Sequence, residues 1–138
     1  MSQEHVAVVL LNLDAWHRGD LDAWLATAHP EVEWYSEVAR RVEGSEVVYR
    51  GHERLRSYWD EWRSVWDVEV EVDETRDLGD RVLVLGRVRA QGEASGVGLE
   101  GPVAFLFELQ DGLIRMGRAY FDTDQALRDA GQGEKFVP

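Results

Sequence analysis

Three tryptophans, Trp59, Trp62 and Trp66, recur at spacings of three and four residues, and the hydrophobic period then changes. That spacing puts side chains on one face of a helix. Immediately downstream, Val68, Val70 and Val72 alternate with Asp67, Glu69, Glu71 and Asp73, which is the period of a half-buried strand with one acidic face. The other three tryptophans, Trp16, Trp24 and Trp34, also precede this switch. Aromatic helices facing a sheet suggest a cone with an apolar pocket. A domain with such a pocket usually handles a small molecule.

Bulk properties narrow the partners. At 138 residues the chain is expected to form one domain, with a core over about residues 5–131 and a loose tail over 132–138. A chain of this size buries roughly two-thirds of its unfolded surface, enough for a core without staples. The formal net charge is −12, from 27 acidic and 15 basic residues. Nucleic acid and anionic membrane surfaces require a basic footprint, so neither is expected as a partner. Cysteine is absent, which removes disulfides, thiolate metal sites and cysteine nucleophiles. The first residues lack the pattern of a signal peptide, and no run approaches the ~20 apolar residues of a membrane span. The expected location is cytoplasmic.

Along the chain, Val6, Val9, Leu10, Leu13 and Trp16 mark an amphipathic helix over residues 3–17. Gly19-Asp20 separates it from a second helix, which His29-Pro30 is expected to end. Residues 31–36 alternate as a strand, 37–46 read as a loop, and Val47-Val48-Tyr49 is a short strand. Gly51 opens a third helix to about Val65. Strands follow over 68–73, 81–91, 102–109 and 113–121, joined by turns at Gly79-Asp80, 94–101 and Asp111-Gly112. Asp122-Thr123-Asp124-Gln125 is a capping-box pattern for a last short helix. Helices first and a strand meander later give the α+β class. Residues 82–85 are apolar on both strand faces. If helices cover one sheet face, a second subunit would cover the other, so a homodimer is expected.

This order, with the strings His29-Pro30-Glu31-Val32-Glu33-Trp34, Tyr49-Arg50-Gly51-His52-Glu53, Gly79-Asp80-Arg81-Val82, Asp111-Gly112-Leu113-Ile114 and Tyr120-Phe121-Asp122, resembles the nuclear-transport-factor-2-like superfamily in its SnoaL-like, polyketide cyclase-like branch. The resemblance covers roughly residues 5–131. It implies a cone-shaped, curved antiparallel or mixed sheet wrapped on three helices, with a short C-terminal helix, in a cystatin-like α+β barrel that is usually dimeric. It also implies one apolar pocket per subunit.

The superfamily hosts several chemistries, and the resemblance lets each be compared residue by residue. Ketosteroid isomerases carry a carboxylate base after the first strand's Val-Glu pair. Trp34 stands there, and an indole cannot abstract a proton at neutral pH. Limonene epoxide hydrolase uses an Arg-x-Asp and a second Asp before Tyr-Phe-Asp. Here Arg87 is kept, but Arg89 and Ala119 occupy the aspartate places. Scytalone dehydratase needs two pocket histidines, and His5, His17, His29 and His52 all fall outside pocket-facing strands. SnoaL-like cyclases use an acid near the end of the last strand, roughly where Asp122 stands. That residue also reads as the cap of the last helix. Glu33 and Glu37 read as solvated acids near the pocket mouth.

Arg87 and Arg89 point the same way by strand period, and the resemblance points them into the pocket. Two inward guanidiniums would orient a ligand with a carboxylate or enolate end. The alternatives are an ion pair with a strand acid such as Glu108, or a solvent-facing rim. The expected site is therefore Arg87, Arg89 and Asp122 as catalytic candidates, walled by Trp16, Trp34, Tyr58, Trp62, Phe105, Phe107 and Phe121. No metal or cofactor is implied. The expected function is binding a small apolar ligand with a polar or anionic end, and isomerising, cyclising or hydrolysing it. The other reading is a non-catalytic ligand-binding or dimerisation domain.

Overall fold

A computed structural model describes residues 2–37, 40, 44–92 and 98–131. Helices α1 (Ser2–Arg18) and α2 (Leu21–Ala26) lead into strands β1 (Ala28–Tyr35) and β2 (Val48–Arg50). Helix α3 (Gly51–Val65) precedes β3 (Trp66–Asp77), β4 (Arg81–Gly92), β5 (Gly98–Gln110) and β6 (Leu113–Tyr120), and α4 (Thr123–Asp129) follows. The loop expected over 37–46 is described only in part, and residues 94–97 of the expected turn and the 132–138 tail lie outside the described residues, while 98–101, also expected in that turn, begin β5.

The six strands form one mixed sheet in the order β2-β1-β6-β5-β4-β3. The β1–β6 pair is parallel and the other pairs are antiparallel. The sheet curls around the helices without closing, because β2 and β3 remain as edges. Two local features let it bend. A bulge falls between Val72 and Glu74 of β3, and Gly86 sits opposite it. A Cβ on Gly86 would run into the Glu71 carbonyl oxygen, so only glycine lets the two strands approach there.

The inner sheet face packs on α1, α2 and α3. Val9, Leu13, Trp24, Leu25, Leu55, Trp59, Val82, Val84 and Phe107 form its buried core. Leu10, expected on the core stripe of α1, is instead 42% exposed. It lies one residue, about 100° of helix rotation, past Val9. Helix α2 ends earlier than expected, at Ala26, and His29-Pro30 belongs to β1. Pairing with β6 captures the chain at Ala28, where Ile114 N donates to Thr27 O at 2.8 Å. Pro30 falls in the register gap between Ala28 and Glu33, where its missing N–H costs no ladder bond.

The premise that helices cover only one face is corrected. Helix α4 lies on the outer face and packs Ala126 and Ala130 against Leu83, Ala104, Leu106 and Tyr120. Arg81 pins the C-terminal end of α4, donating to Asp129 O and Ala130 O at 3.2 Å each. The doubly apolar stretch 82–85 is thus covered within the chain.

Candidate functional site

Between the helices and the inner sheet face lies a cavity of about 310 Å³. Its helical wall is Asn12, Leu13 and Trp16 from α1, Trp24 from α2, and Leu55, Tyr58 and Trp62 from α3. The sheet side is Val32 and Trp34 of β1, Trp66, Val68 and Val70 of β3, Val88 and Ala90 of β4, and Val103, Phe105 and Phe107 of β5, with Ala119 and Phe121. All seven aromatics expected on the wall are placed there. Trp24 and Trp66 join them, whereas Trp59 is 7% exposed and packs edge-on to Trp16 with centroids 5.1 Å apart.

Trp34 shows how the sequence builds this wall. Its strand partner on β6 is Gly117, and a Cβ there would sit 2.6 Å from two carbons of the indole. The missing side chain lets the ring lie on the sheet. Phe105 and Phe107 stack beside it, each with centroids 6.2 Å away, and Tyr58 meets it edge-on at 6.0 Å.

Few polar groups reach the wall. Asn12 is fixed by donating to Thr27 Oγ1 at 2.9 Å. Burial pushes the Tyr58 hydroxyl up to about 12, against the opposing pull of Trp34 and Ser36, so it is a neutral phenol at physiological pH. The Trp34 indole N–H lies toward the Tyr58 hydroxyl and that of Trp62 toward the Tyr49 hydroxyl, but neither reaches hydrogen-bond geometry. Glu37 is the one charged side chain among the described lining residues. Its carboxylate is 14% exposed and paired with Arg40, whose Nε donates to Oε2 at 3.1 Å. By sequence pattern Glu37 is a solvated acid; it instead lines the cavity.

The three catalytic candidates lie elsewhere. Arg87 and Arg89 are exposed on the outer sheet face. On β4 the inward set is Val82, Val84, Val88 and Ala90, so the intervening arginines must face out. The expectation drawn from the resemblance, that they point into the pocket, is corrected. Arg89 sits between Glu69 at 3.8 Å and Glu100 at 3.6 Å, all three well exposed, which matches the ion-pair alternative. Asp122 is exposed and caps α4, accepting from Gln125 N at 3.2 Å. It is absent from the described wall.

Glu33 also faces outward, where Arg50 holds its carboxyl below the usual range, with help from the Tyr35 hydroxyl. The histidines hold backbone. His52 bonds Ala28 O at 2.8 Å and His5 bonds Gly79 O at 2.7 Å. His29 accepts from Glu31 N, and His17 accepts from Val70 N on the edge strand, each at 3.0 Å.

The SnoaL-like domain family matches residues 11–116. No match to a functionally curated protein was found. Among solved structures, TerC co-crystallised with polyporic acid superposes with a TM-score of 0.76 at 20% identity, over 95% of this chain and 98% of that one. A Catenulispora acidiphila protein with a ketosteroid isomerase-like fold, in complex with trimethylamine, gives 0.72 at 14% identity, over 95% and 97%. An epoxide hydrolase of the LEH-like type from M. tuberculosis gives 0.72 at 20% identity, over 96% and 93%. These likenesses establish the fold. With the family match spanning α1 to β6 and the same helix-lined, unclosed sheet, the chain belongs to the SnoaL-like family.

Proposed function

We propose that this protein binds a small, apolar, ring-bearing molecule in the cavity, with the polar end of the ligand toward Ser36, Glu37 and the Tyr58 hydroxyl. The observation that carries this reading is the cavity itself, whose wall is aromatic and aliphatic apart from that small polar group and Asn12. Its volume is at the small end of ligand pockets, which run from about 300 to 1,000 Å³. The fold neighbours crystallised with polyporic acid and with trimethylamine support small-molecule binding, one with an acid and one with an amine. With Arg87 and Arg89 outside, no cationic side chain is among the described lining residues.

Five of the six tryptophans line the cavity, so ligand binding should change intrinsic fluorescence. Titration with a panel of small ring compounds is expected to give saturable quenching. Val103→Trp, which fills the cavity, should abolish it while circular dichroism stays native. Absence of any saturable change, or an unaltered response in Val103→Trp, overturns the reading.

A second reading adds turnover of the isomerase, cyclase or hydrolase kind. It is favoured by Glu37, the one carboxylate among the described lining residues of a largely apolar wall. Under it, Glu37→Gln abolishes turnover and leaves substrate binding. The same proposal includes a homodimer through the outer face. Tyr35, Met116 and Arg118 are half-buried there, opposite the Trp34 side of the sheet, and interfaces favour Tyr, Met and Arg. Light scattering at twice the chain mass, lost on Tyr35→Glu, is the expected result.

A further inference from the structure

Asn12 is the one amide side chain among the described lining residues, and a chain of two hydrogen bonds fixes which way it faces. Its Nδ2 lies 2.9 Å from Thr27 Oγ1, and Thr27 Oγ1 donates to Trp24 O at 2.7 Å. A hydroxyl has a single proton. With that proton on Trp24 O, Thr27 can only accept from Asn12. An amide turned over would set its carbonyl oxygen against the threonine oxygen, two acceptors with no proton between them. The amide is therefore locked with Nδ2 toward Thr27 and Oδ1 away from it. Thr27 is buried, so water does not compete for this arrangement. Oδ1 accepts from no described group, and it is not one of the buried orphan atoms, which are the Trp34 and Trp62 indole nitrogens. It is an open acceptor on a residue of the cavity wall.

We propose that Asn12 recognises the ligand, its carbonyl oxygen accepting a hydrogen bond from a hydroxyl or N–H group on the ligand's ring system, at the end of the cavity away from Ser36 and Glu37. The proposal rests on the reading of the cavity as a small-molecule pocket and adds a second polar group to the ligand, with the sense of its hydrogen bond. Asn12 stands at the level of Thr27, whose carbonyl oxygen accepts from Ile114 N near the start of β6. Ser36 and Glu37 follow the end of β1 and lie beside Ala119 near the end of β6. Ile114 and Ala119 both line the cavity, and the strand between them spans about 16 Å at about 3.3 Å per residue. The two polar places are thus at opposite ends of a largely apolar cavity, which suits a ring system with a polar group at each end. A ligand without the donor would cover Oδ1 and leave it unsatisfied, which disfavours its binding. Thr27 is a positioning residue here, acting on the ligand only through the amide.

Three probes of similar shape separate the donor from the fit: 2-naphthol, its ether 2-methoxynaphthalene, which has no donor, and 2-methylnaphthalene, which has no polar atom. Binding is measured by calorimetry and tryptophan fluorescence on the full chain. The naphthol is expected to bind about fivefold tighter than the ether, the scale of one net hydrogen bond. Asn12→Leu should bring the two to within about twofold of each other while 2-methylnaphthalene still binds. Thr27→Val removes the lock and lets the amide turn its NH2 group toward the ligand, so it should narrow the ratio by tightening the ether. Equal binding of naphthol and ether by the native protein overturns the proposal and leaves the pocket reading standing. So does a naphthol preference that survives Asn12→Leu, or an equal weakening of all three probes in that variant, which a merely structural Asn12 would give. A ratio unchanged in Thr27→Val overturns the lock. If Asn12→Leu does not fold, the near-isosteric Thr27→Val decides the proposal alone. Binding of none of the three probes overturns both the proposal and the pocket reading.

Discussion

Gly117→Ala tests the packing argument at the cavity wall most directly. The new Cβ would stand 2.6 Å from Cε3 and Cζ3 of Trp34 and 3.2 Å from Phe107, where carbon contacts ordinarily settle at about 3.5–4.0 Å. The indole must therefore shift by about 1 Å. Phe105, Phe107 and Tyr58 hold its sides, so the open direction is into the cavity. Overpacking of this kind costs about 1–3 kcal/mol. Restricting the unfolded chain by replacing glycine returns about 0.4–1 kcal/mol. The net loss is about 1–2 kcal/mol, or roughly 3–10 °C in Tm for a domain of this length. Gly101→Ala is the matched control. It changes the same residue type on the neighbouring β5, where a Cβ meets nothing within 4 Å, and it should be neutral or slightly stabilising. Urea unfolding and calorimetry on both variants decide the matter. A Gly117→Ala protein no less stable than Gly101→Ala refutes the claim that this glycine makes room for Trp34.

Other expectations follow from single contacts. Arg63 spans two indoles, 4.7 Å from the Trp59 ring and 5.2 Å from the Trp16 ring, and donates to Trp16 O at 2.6 Å. Arg63→Met should cost about 2–4 kcal/mol by urea unfolding, with Arg63→Lys recovering less than half. All four tyrosines have phenol pKa values raised mainly by burial. A raised folded pKa gives stability that is complete below the unfolded value and is lost as pH climbs through the folded one. For Tyr58 that window is about pH 10–12 and is worth about 2–3 kcal/mol, so Tyr58→Phe should flatten the fall in Tm above pH 10. A native tyrosinate absorbance that rises at the ordinary pH near 10 would contradict the burial. Asp122→Ala should lose about 1 kcal/mol as a lost helix cap and leave cavity binding intact. Replacing Arg87 and Arg89 together by Ala should shift stability by under about 1 kcal/mol and leave fluorescence-detected binding unchanged.

The local code is strong enough to be read where one residue type does one physical job. Asp122 caps a helix where its pattern says it should, Gly19-Asp20 breaks between two helices as read, and Gly19, Gly79 and Gly112 take the positive φ that their turns require. The period change near Trp66 marks the passage from α3 to β3. These signals depend on neighbours in sequence, so the α+β order is legible from the residues alone, whereas the expected aromatic wall also leaned on the family resemblance.

Facing is decided at longer range. The sequence shows that Arg87 and Arg89 share a side of β4, but the pairing of that strand with β3 and β5 sets which side is solvent. Val88 and Ala90 take the inner side, and the arginines go out. Residues 82–85 announce that both faces are covered. That α4 is one of the covers depends on a return of the chain across the sheet, held by Arg81 and Tyr120. Glu37 is the plainest case. As a letter in a polar stretch it reads as a solvated acid, because burial is a property of everything that folds around a residue. Its place as the charge on an aromatic wall arises only when β1, α3 and β6 come together.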